Sequence, residues 1–193
     1  VLASDADVGA ALAELPAGGK GVACTFRTAY PVTVAPLALT HAAFAAIIDE
    51  AEQIELPPTA TSSVSIVIEA TAEQISLAQL GVKKLRVFID GEPSFCAALR
   101  DALFMRTVKA YVEADDSGRW HTLAQLPIST AGYAEDDALI PFSARSHPAY
   151  RLLTEYFAFP DKFHFIDIEL APLAPLLPAG ARRFTLHFVL TGV

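Results

Sequence analysis

Apolar and polar residues alternate along several stretches of this chain, which is typical of strands that bury one face. The alternation predicts strands over residues 24–30, 32–35, 64–69, 85–89, 107–113, 163–170 and 184–190. Residues 37–54 combine strand-like alternation with helix-forming alanines, and we interpret them as strand. The prolines and small polar residues over 57–63 predict a turn between two segments of one sheet.

Two stretches repeat apolar residues at helical spacing instead. The first predicted helix begins at Pro93, whose missing N–H suits the first turn of a helix. Residues 82–126 therefore predict a strand, a helix, a strand and a hairpin, with the helix packed over one face of the sheet. The apolar face of this helix consists of Phe95, Leu99, Ala102 and Leu103.

The second predicted helix begins at Pro148, with Ser146 or His147 as its N-cap. Pro160 ends it, because proline disfavours the α conformation in the residue before it. An apolar stripe runs between these two prolines, and the strand over residues 163–170 follows. The pattern therefore predicts an amphipathic helix that packs on this strand.

We expect Leu153, Tyr156 and Phe157 to be largely buried in that packing, so that Leu153→Ala costs about 2–5 kcal/mol. Arg151 and Glu155 are spaced four residues apart on the same helix. Such a pair adds only a few tenths of a kcal/mol if it is exposed.

These elements predict an α+β fold that is rich in β-structure, with mainly antiparallel sheets and two short amphipathic helices packed on them. We expect residues 1–193 to form a single β-rich piece of a longer protein, with possible sub-units 16–130 and 131–193. The chain opens without an initiator Met or a signal-like apolar core, which also favours a piece of a longer polypeptide.

The composition of the chain excludes several classes of function. Hydrophobic residues make up 53% of the chain and charged residues 19%, which excludes disorder for most of its length. A formal net charge of -8 disfavours non-specific binding to nucleic acid or to anionic lipid. The most apolar long stretch, residues 35–48, is interrupted and too short for a membrane-spanning helix.

Candidate chemistry is sparse. The two cysteines cannot form a disulfide framework, which favours a reducing compartment, and the five histidines show no metal-ligand spacing. The glycines at 18–21 lack the Ser or Thr of a phosphate-binding loop, and the acid pairs at 115–116 and 136–137 are typical of turns. Helix capping explains Ser146 more simply than catalysis does. His164 is predicted to be partly buried, and His187 to be solvated.

Three stretches together resemble one protein family. They are Cys24-Thr-Phe-Arg-Thr-Ala-Tyr-Pro-Val-Thr-Val-Ala-Pro-Leu37, Leu85-Arg-Val-Phe-Ile-Asp-Gly-Glu-Pro93 and Arg151-Leu-Leu-Thr-Glu-Tyr-Phe-Ala-Phe-Pro-Asp-Lys-Phe163. The chain resembles the TssF family, also called VasA or ImpG, of the type VI secretion baseplate, over about residues 16–170. It departs from the family pattern at His147, where an aromatic residue is expected, and at Ala149, where glycine is expected.

The resemblance implies a non-enzymatic structural protein of the bacterial cytoplasm, located at the secretion apparatus that is docked on the inner membrane. It implies assembly with TssG-like, TssK-like and TssE-like baseplate proteins and possible self-association. The residues themselves predict no cofactor, no metal, no nucleic acid and no direct membrane insertion. The implied structural residues of the family motif are Phe26, Arg27, Tyr30, Asp90, Gly91, Pro93, Arg145, Ser146, Tyr150, Arg151, Leu153, Glu155, Tyr156, Phe157, Phe159, Pro160, Lys162 and Phe163.

Two other functions remain open on the residues alone. A β-sandwich that binds carbohydrate or peptide would account for the strands and the aromatic residues. A hydrolase would need the acid pairs or Ser146 to converge in one pocket.

Overall fold

The computed structural model describes residues 11–12, 23–24, 34–48, 54–72, 76–77, 81–143 and 145–193. The chain divides into one unit of residues 1–35 and a larger unit of residues 36–193. In the smaller unit, β1 (Ala11–Leu12) pairs antiparallel with β2 (Ala23–Cys24). Most of the two strands predicted over residues 24–30 and 32–35 lies outside the described residues.

The described residues of the larger unit contain strands, two α-helices and short helical turns. Its strands are β3 (Leu37–Ala45), β4 (Ser62–Ala70), β5 (Lys84–Phe88), β6 (Thr107–Ala114), β7 (Trp120–Thr122), β8 (Ile128–Thr130), β9 (Phe165–Glu169) and β10 (Arg183–Leu190). Its α-helices are α1 (Pro93–Asp101) and α2 (Pro148–Ala158). A π-helical turn (Ala102–Arg106) follows α1, and 3-10 turns occupy Pro160–His164 and Ala174–Leu176.

These strands form two antiparallel sheets. The larger sheet has the order β3-β4-β10-β6-β7, and the smaller has the order β5-β9-β8. The predicted α+β class and the strand at residue 37 are therefore confirmed. The predicted unit over residues 82–126 has the right elements, but its two strands belong to different sheets, because β5 pairs with β9 and β6 pairs with β10.

One core connects the two sheets and α1. Leu186 at the centre of β10 lies opposite Ile66 on one side and Val112 on the other, and each of the three is at least 94% buried. Phe184, Leu186, Phe188 and Leu190 all lie in the core, as the alternation over residues 184–190 predicts, since alternate residues bring their side chains to the same face of a strand. The core also includes Ile166 and Ile168 from β9 in the smaller sheet.

The apolar face predicted for the first helix is confirmed at Leu99, Ala102 and Leu103, which pack in or against the core, but not at Phe95. Phe95 is 54% exposed, whereas Cys96 is fully buried and its thiol donates to the carbonyl oxygen of Ile89. Cys96, Leu99 and Leu103 are spaced as i, i+3 and i+7, so they share the face that contacts the core. The prediction for Phe95 was wrong because it lies about 100° around the helix from Cys96.

The prediction that His187 is solvated was also wrong. The residue is 9% exposed, its Nε2 lies 3.0 Å from Glu113 Oε2, and its ring stacks on Trp120 with centroids 3.7 Å apart. Burial lowers the pKa of His187, and the neighbouring carboxylate only partly offsets this effect. The alternation of β10 does not predict the burial of His187, because both faces of this strand are covered. His164, by contrast, is partly buried, as predicted.

A buried carboxylate joins the strands of the smaller sheet. Asp167 on β9 accepts hydrogen bonds from Arg86 Nε at 2.7 Å and from Lys84 Nζ at 3.2 Å, both on β5. Burial opposes the ionisation of Asp167, but these cations outweigh it and lower the pKa of its carboxyl. The same contacts raise the pKa of Lys84 and of Arg86.

We expect Asp167→Asn to lower the free energy of unfolding by about 1–3 kcal/mol at neutral pH, because it removes a charged hydrogen-bond acceptor. A carboxyl whose pKa is lowered in the folded state stabilises the protein above its unfolded pKa of about 4 and loses that contribution as the pH falls further. Urea unfolding between pH 7 and pH 3 should therefore show a weaker acid dependence in the variant. Asp161→Asn is the control, because it removes an exposed carboxylate. Equal effects of both substitutions would contradict this role of Asp167.

Candidate interaction surface

The ends of α2 follow directly from its sequence. Pro148 occupies the first turn, and His147 Nδ1 caps the helix by accepting a hydrogen bond from the backbone N–H of Ala149 at 3.2 Å. Phe159 leaves the helical conformation with φ −151° and ψ 72°, as expected for a residue before Pro160. Both predicted ends of the helix and the His147 alternative for its cap are confirmed.

The orientation of α2 is the reverse of the predicted one. Leu153 is 57% exposed, Tyr156 56% and Phe157 77%, so the prediction that they are buried was wrong. We call the outward surface of this helix the exposed α2 face. Its residues are Ala149, Tyr150, Leu153, Thr154, Tyr156, Phe157 and Ala158. None of them carries an ionisable group with a charge at neutral pH.

The buried side of α2 is charged. Arg151 is 3% exposed and Glu155 2%, and Lys162 from the following 3-10 turn is 3% exposed. Glu155 Oε2 accepts hydrogen bonds from Arg151 Nη1 at 3.1 Å and from Lys162 Nζ. We call these three residues the Glu155 cluster. It turns the polar side of the helix towards the protein.

Backbone groups complete the coordination of Glu155. Its Oε1 accepts hydrogen bonds from the N–H groups of Leu139 at 2.8 Å and Ile140 at 3.3 Å. Burial alone would raise the pKa of Glu155, but the hydrogen bonds from Lys162, Leu139 and Ile140 outweigh it and lower the pKa. The carboxylate therefore stays charged beneath the helix at neutral pH.

Arg151 connects the helix to the same loop. Its Nη2 donates to the carbonyl oxygens of Tyr133 at 3.0 Å and Ala134 at 3.2 Å. Its guanidinium carbon lies 5.3 Å from the ring centroid of Phe142, within the range of a cation–π contact. Residues 131–143 thus cover the charged side of α2. Backbone groups of this loop and the side chain of Phe142 make the contacts.

This loop is itself anchored to the fold. Gly132 adopts φ +92°, and a Cβ at this position would lie 2.8 Å from the carbonyl oxygen of Lys162. Its N–H donates to Asp137 Oδ2, while Asp137 Oδ1 accepts from Arg86 Nη1 at 3.0 Å. The loop is therefore connected to β5 on one side and to the Glu155 cluster on the other.

Packing energetics explain why α2 keeps this orientation. A buried ion pair stabilises a fold best when its remaining polar groups are also paired. The loop pairs Glu155 Oε1 and Arg151 Nη2, while Arg151 Nε is buried without a hydrogen-bond partner. Turning α2 over would expose Arg151 and Glu155, but it would leave Lys162 and the N–H groups of Leu139 and Ile140 without their acceptor.

The structure separates the expected motif residues into groups. Phe26, Arg27 and Tyr30 lie outside the described residues. Asp90, Gly91 and Pro93 lie at the junction of β5 and α1, whereas Arg145 and Ser146 precede α2. The remaining motif residues lie on α2, at its C-terminal end or on the 3-10 turn that follows: Tyr150, Arg151, Leu153, Glu155, Tyr156, Phe157, Phe159, Pro160, Lys162 and Phe163.

Aromatic contacts extend this surface beyond the helix. Phe163 is 4% exposed, and its ring centroid lies 6.0 Å from that of Tyr156 and 5.1 Å from that of Tyr133. Phe159 is 50% exposed next to the C-terminal end of α2. The aromatic rings around the helix therefore form both its support and its outward surface.

Gly132, Asp137 and Phe142 are parts of this site that the sequence pattern does not predict. The spacing of Arg151 and Glu155 resembled an ordinary surface pair, and nothing in the loop sequence indicated that its backbone would coordinate them. The sequence does contain one indication that α2 is not an ordinary surface helix. Apart from Arg151 and Glu155, its residues carry no charge. A helix that is apolar nearly all round is usually covered by protein.

The acid pairs considered for catalysis make structural contacts. Asp115 and Asp116 form the turn between β6 and β7 with positive φ angles, and Asp116 pairs with Arg183. Asp115 Oδ1 accepts hydrogen bonds from the N–H groups of Arg182 and Arg183. Among the described residues, no group of three His, Cys, Asp or Glu side chains could hold a metal ion. No helix in that part of the chain is long and apolar enough to cross a membrane.

Comparison with known proteins gives consistent matches. The family model described as "Type VI secretion system, TssF" matches residues 6–192. Type VI secretion system component TssF1 of Pseudomonas aeruginosa is 30% identical over 151 residues, which cover 76% of this chain and 24% of that protein. A cryo-electron microscopy structure of the type VI secretion system TssK-TssF-TssG baseplate subcomplex contains a similar chain, with a TM-score of 0.68 and 25% identity.

The structural match covers 99% of this chain and 34% of the solved one. This chain therefore spans about a quarter of the curated relative and about a third of the solved chain that it matches.

Two substitutions on α2 test its orientation. We expect Glu155→Gln to lower the free energy of unfolding by about 3–5 kcal/mol, because it leaves Arg151 and Lys162 buried without a counter-charge. Leu153→Ala should change it by less than about 1 kcal/mol, because the side chain is exposed. Chemical denaturation of the purified variants measures both, with the exposed Glu135→Gln as the control for removal of a carboxylate from the nearby loop. The opposite ranking of the two effects would show that Leu153 is the buried residue.

Proposed function

This chain belongs to the TssF family of type VI secretion system proteins, and we propose that it is a structural, non-enzymatic part of the baseplate wedge. The observation that carries this proposal is the exposed α2 face, with Phe157 and Leu153 at its centre. A large exposed apolar patch on a folded protein usually marks a contact with another protein. Assembly into a permanent complex would cover this patch.

The motif residues then divide between two structural roles. Arg151, Glu155 and Lys162 hold α2 in place, because they are buried and paired with one another. The exposed members are available for contact with another subunit. These are Tyr150, Leu153, Tyr156, Phe157 and Phe159. In this proposal a single sequence motif encodes both a contact surface and the support beneath it.

TssG-like and TssK-like proteins are the proposed partners. The solved chain that resembles this one comes from a TssK-TssF-TssG subcomplex, which supports both assignments. We also propose contact with a TssE-like protein and self-association, on family resemblance alone. A location in the bacterial cytoplasm, at the apparatus docked on the inner membrane, follows from the proposed role.

The family membership favours this structural role over a module that binds carbohydrate or peptide. The aromatic residues that suggested such a module lie on a convex helix, whereas ligand sites are usually concave. The hydrolase alternative receives no support from the acid pairs, since Asp115 and Asp137 are engaged in turn and loop contacts.

The proposal predicts a stable complex of the full-length subunit that carries this segment. Co-expression with the TssG-like and TssK-like proteins from the same gene cluster, followed by affinity purification and size exclusion, should yield one co-eluting species. A permanent interface resembles a protein core, so the complex should persist in moderate salt. The full-length subunit expressed alone is the control for non-specific co-elution. If all three proteins are folded and yet elute separately, the structural role proposed here is wrong.

A further inference from the structure

Strand β3 forms an edge of the larger sheet that is unusually open. It pairs with β4 along one side, and no described strand pairs with its other side. Folded proteins usually protect an exposed edge with charged residues, with proline or with a very short strand. β3 has none of these three features, because it is nine residues long and contains no Asp, Glu, Lys, Arg or Pro. Its register shift between Leu39 and His41 still leaves a regular ladder over residues 41–45.

The other described edges are protected in the usual ways. β7 and β8 contain only three residues each. β5 contains five residues, and two of them are the cations Lys84 and Arg86. Among the described strands, β3 therefore offers the long and uncharged edge.

The apolar face of the larger sheet is not fully covered at β3. Leu39 lies opposite Ile68 and Phe44 lies opposite Val64, so both point to the same face as core residues. Nevertheless Leu39 is 43% exposed and Phe44 55%, whereas Ile68 and Val64 are at least 95% buried. The cover over this face therefore ends before β3. A further strand beside β3 would lie next to both exposed side chains.

An apolar cavity adjoins the start of the same strand. Its volume is about 280 Å³, and its walls include Leu37 from β3, Phe184 from β10 and Leu173. The other described lining residues are Leu, Val or Ala, apart from Gly81 and Lys83. A cavity of about 150 Å³ with such a lining binds benzene, so this one has room for an aromatic or branched side chain.

We propose that a β-strand from the rest of the same polypeptide, outside residues 1–193, pairs with the free edge of β3 and fills this cavity with one apolar side chain. Added strands bind by main-chain hydrogen bonds, and pockets for their side chains supply the specificity. At about 3.3 Å per residue, a segment of roughly nine residues follows β3 from Ala45 to Leu37. The free edge, the exposed side chains of Leu39 and Phe44, and the cavity are then covered together.

The length of the relatives supports an occupant in the same polypeptide. This chain spans 24% of the curated relative and 34% of the solved chain that it matches, so most of each of those proteins lies outside the matched segment. A strand linked to β3 by a short connection has an effective concentration on the order of millimolar. A strand on a separate subunit competes only at the concentration of that subunit in the cell.

The chemistry of the edge also favours this occupant over a separate subunit. An uncharged open edge pairs with any exposed strand, including that of another copy, and so promotes aggregation. An edge that is covered as the polypeptide folds avoids this hazard before any complex has assembled. The exposed α2 face differs in this respect, because the backbone groups of a helix pair within the helix.

Photo-crosslinking of the full-length subunit, alone and in its baseplate complex, identifies the occupant. The photoreactive residue p-benzoylphenylalanine replaces Phe44 in one variant and Phe95 on α1 in the matched control, since the two side chains are 55% and 54% exposed. We expect the probe at position 44 to link to a peptide outside residues 1–193, in a product with the mass of one subunit. The probe at position 95 should not link to that peptide.

Hydrogen exchange measures the pairing itself. In an open edge strand about half of the backbone N–H groups point away from the neighbouring strand and exchange freely. We expect nearly all amides of residues 41–45 to be protected in the free full-length subunit. Ala174 lines the cavity and is exposed, so Ala174→Trp should fill the cavity and speed this exchange about tenfold or more. Ala97→Trp, at an exposed alanine of α1, is the control and should change it less than about twofold.

Three results would overturn the inference. One is a link from the probe at position 44 to a second copy or to another subunit, which the mass of the product reveals. Another is a link to a peptide within residues 1–193, or no link at all. The third is free exchange of about half of the amides of residues 41–45 in the free subunit, or equal effects of the two Trp substitutions. None of these results would contradict the proposed function, whose test is the association of the unmodified subunits.

Discussion

The coordination of the Glu155 carboxylate is the interaction on which the surface of this protein depends. One buried side chain accepts hydrogen bonds from Arg151, Lys162 and two backbone N–H groups of the loop over residues 131–143. Because the charges of α2 are satisfied inside the protein, its apolar side chains remain outside. If the part of the protein beneath α2 were apolar, the helix would turn its apolar side chains inward instead. The exposed aromatic surface is thus a consequence of polar packing beneath it.

The sheets were predictable because period-two patterns report burial directly. The alternating apolar residues of β4 and β10 face a single core, and neither strand could shift by one residue without turning these residues away from that core. The ends of α2 were predictable as well, since Pro148 and Pro160 act through local backbone geometry. These features depend on neighbours along the chain or on a simple repeat.

The orientation of α2 was not predictable from its periodicity. An amphipathic pattern identifies two faces of a helix, and the usual rule then assigns the apolar one to the interior. Here Gly132, Asp137 and the backbone of Leu139 decide otherwise, and all of them are distant in sequence from Glu155. The same limitation affected His187, whose burial depends on Glu113 and Trp120 from two other strands. Whether a buried polar group finds a hydrogen-bond partner depends on residues that are distant along the chain. The periodicity of a single helix or strand does not predict such partners.

In the proposed role, α2 presents its aromatic side chains to solvent until a partner covers them. Hydroxyl-radical footprinting of the full-length subunit, alone and in its baseplate complex, measures this exposure, because tyrosine and phenylalanine rings react in proportion to their exposure. We expect Tyr150 and Phe157 to be oxidised readily in the free subunit and protected in the complex, while Phe184, which is 2% exposed, is protected in both. Protection of Phe157 in the free subunit, equal to that of Phe184, would contradict it.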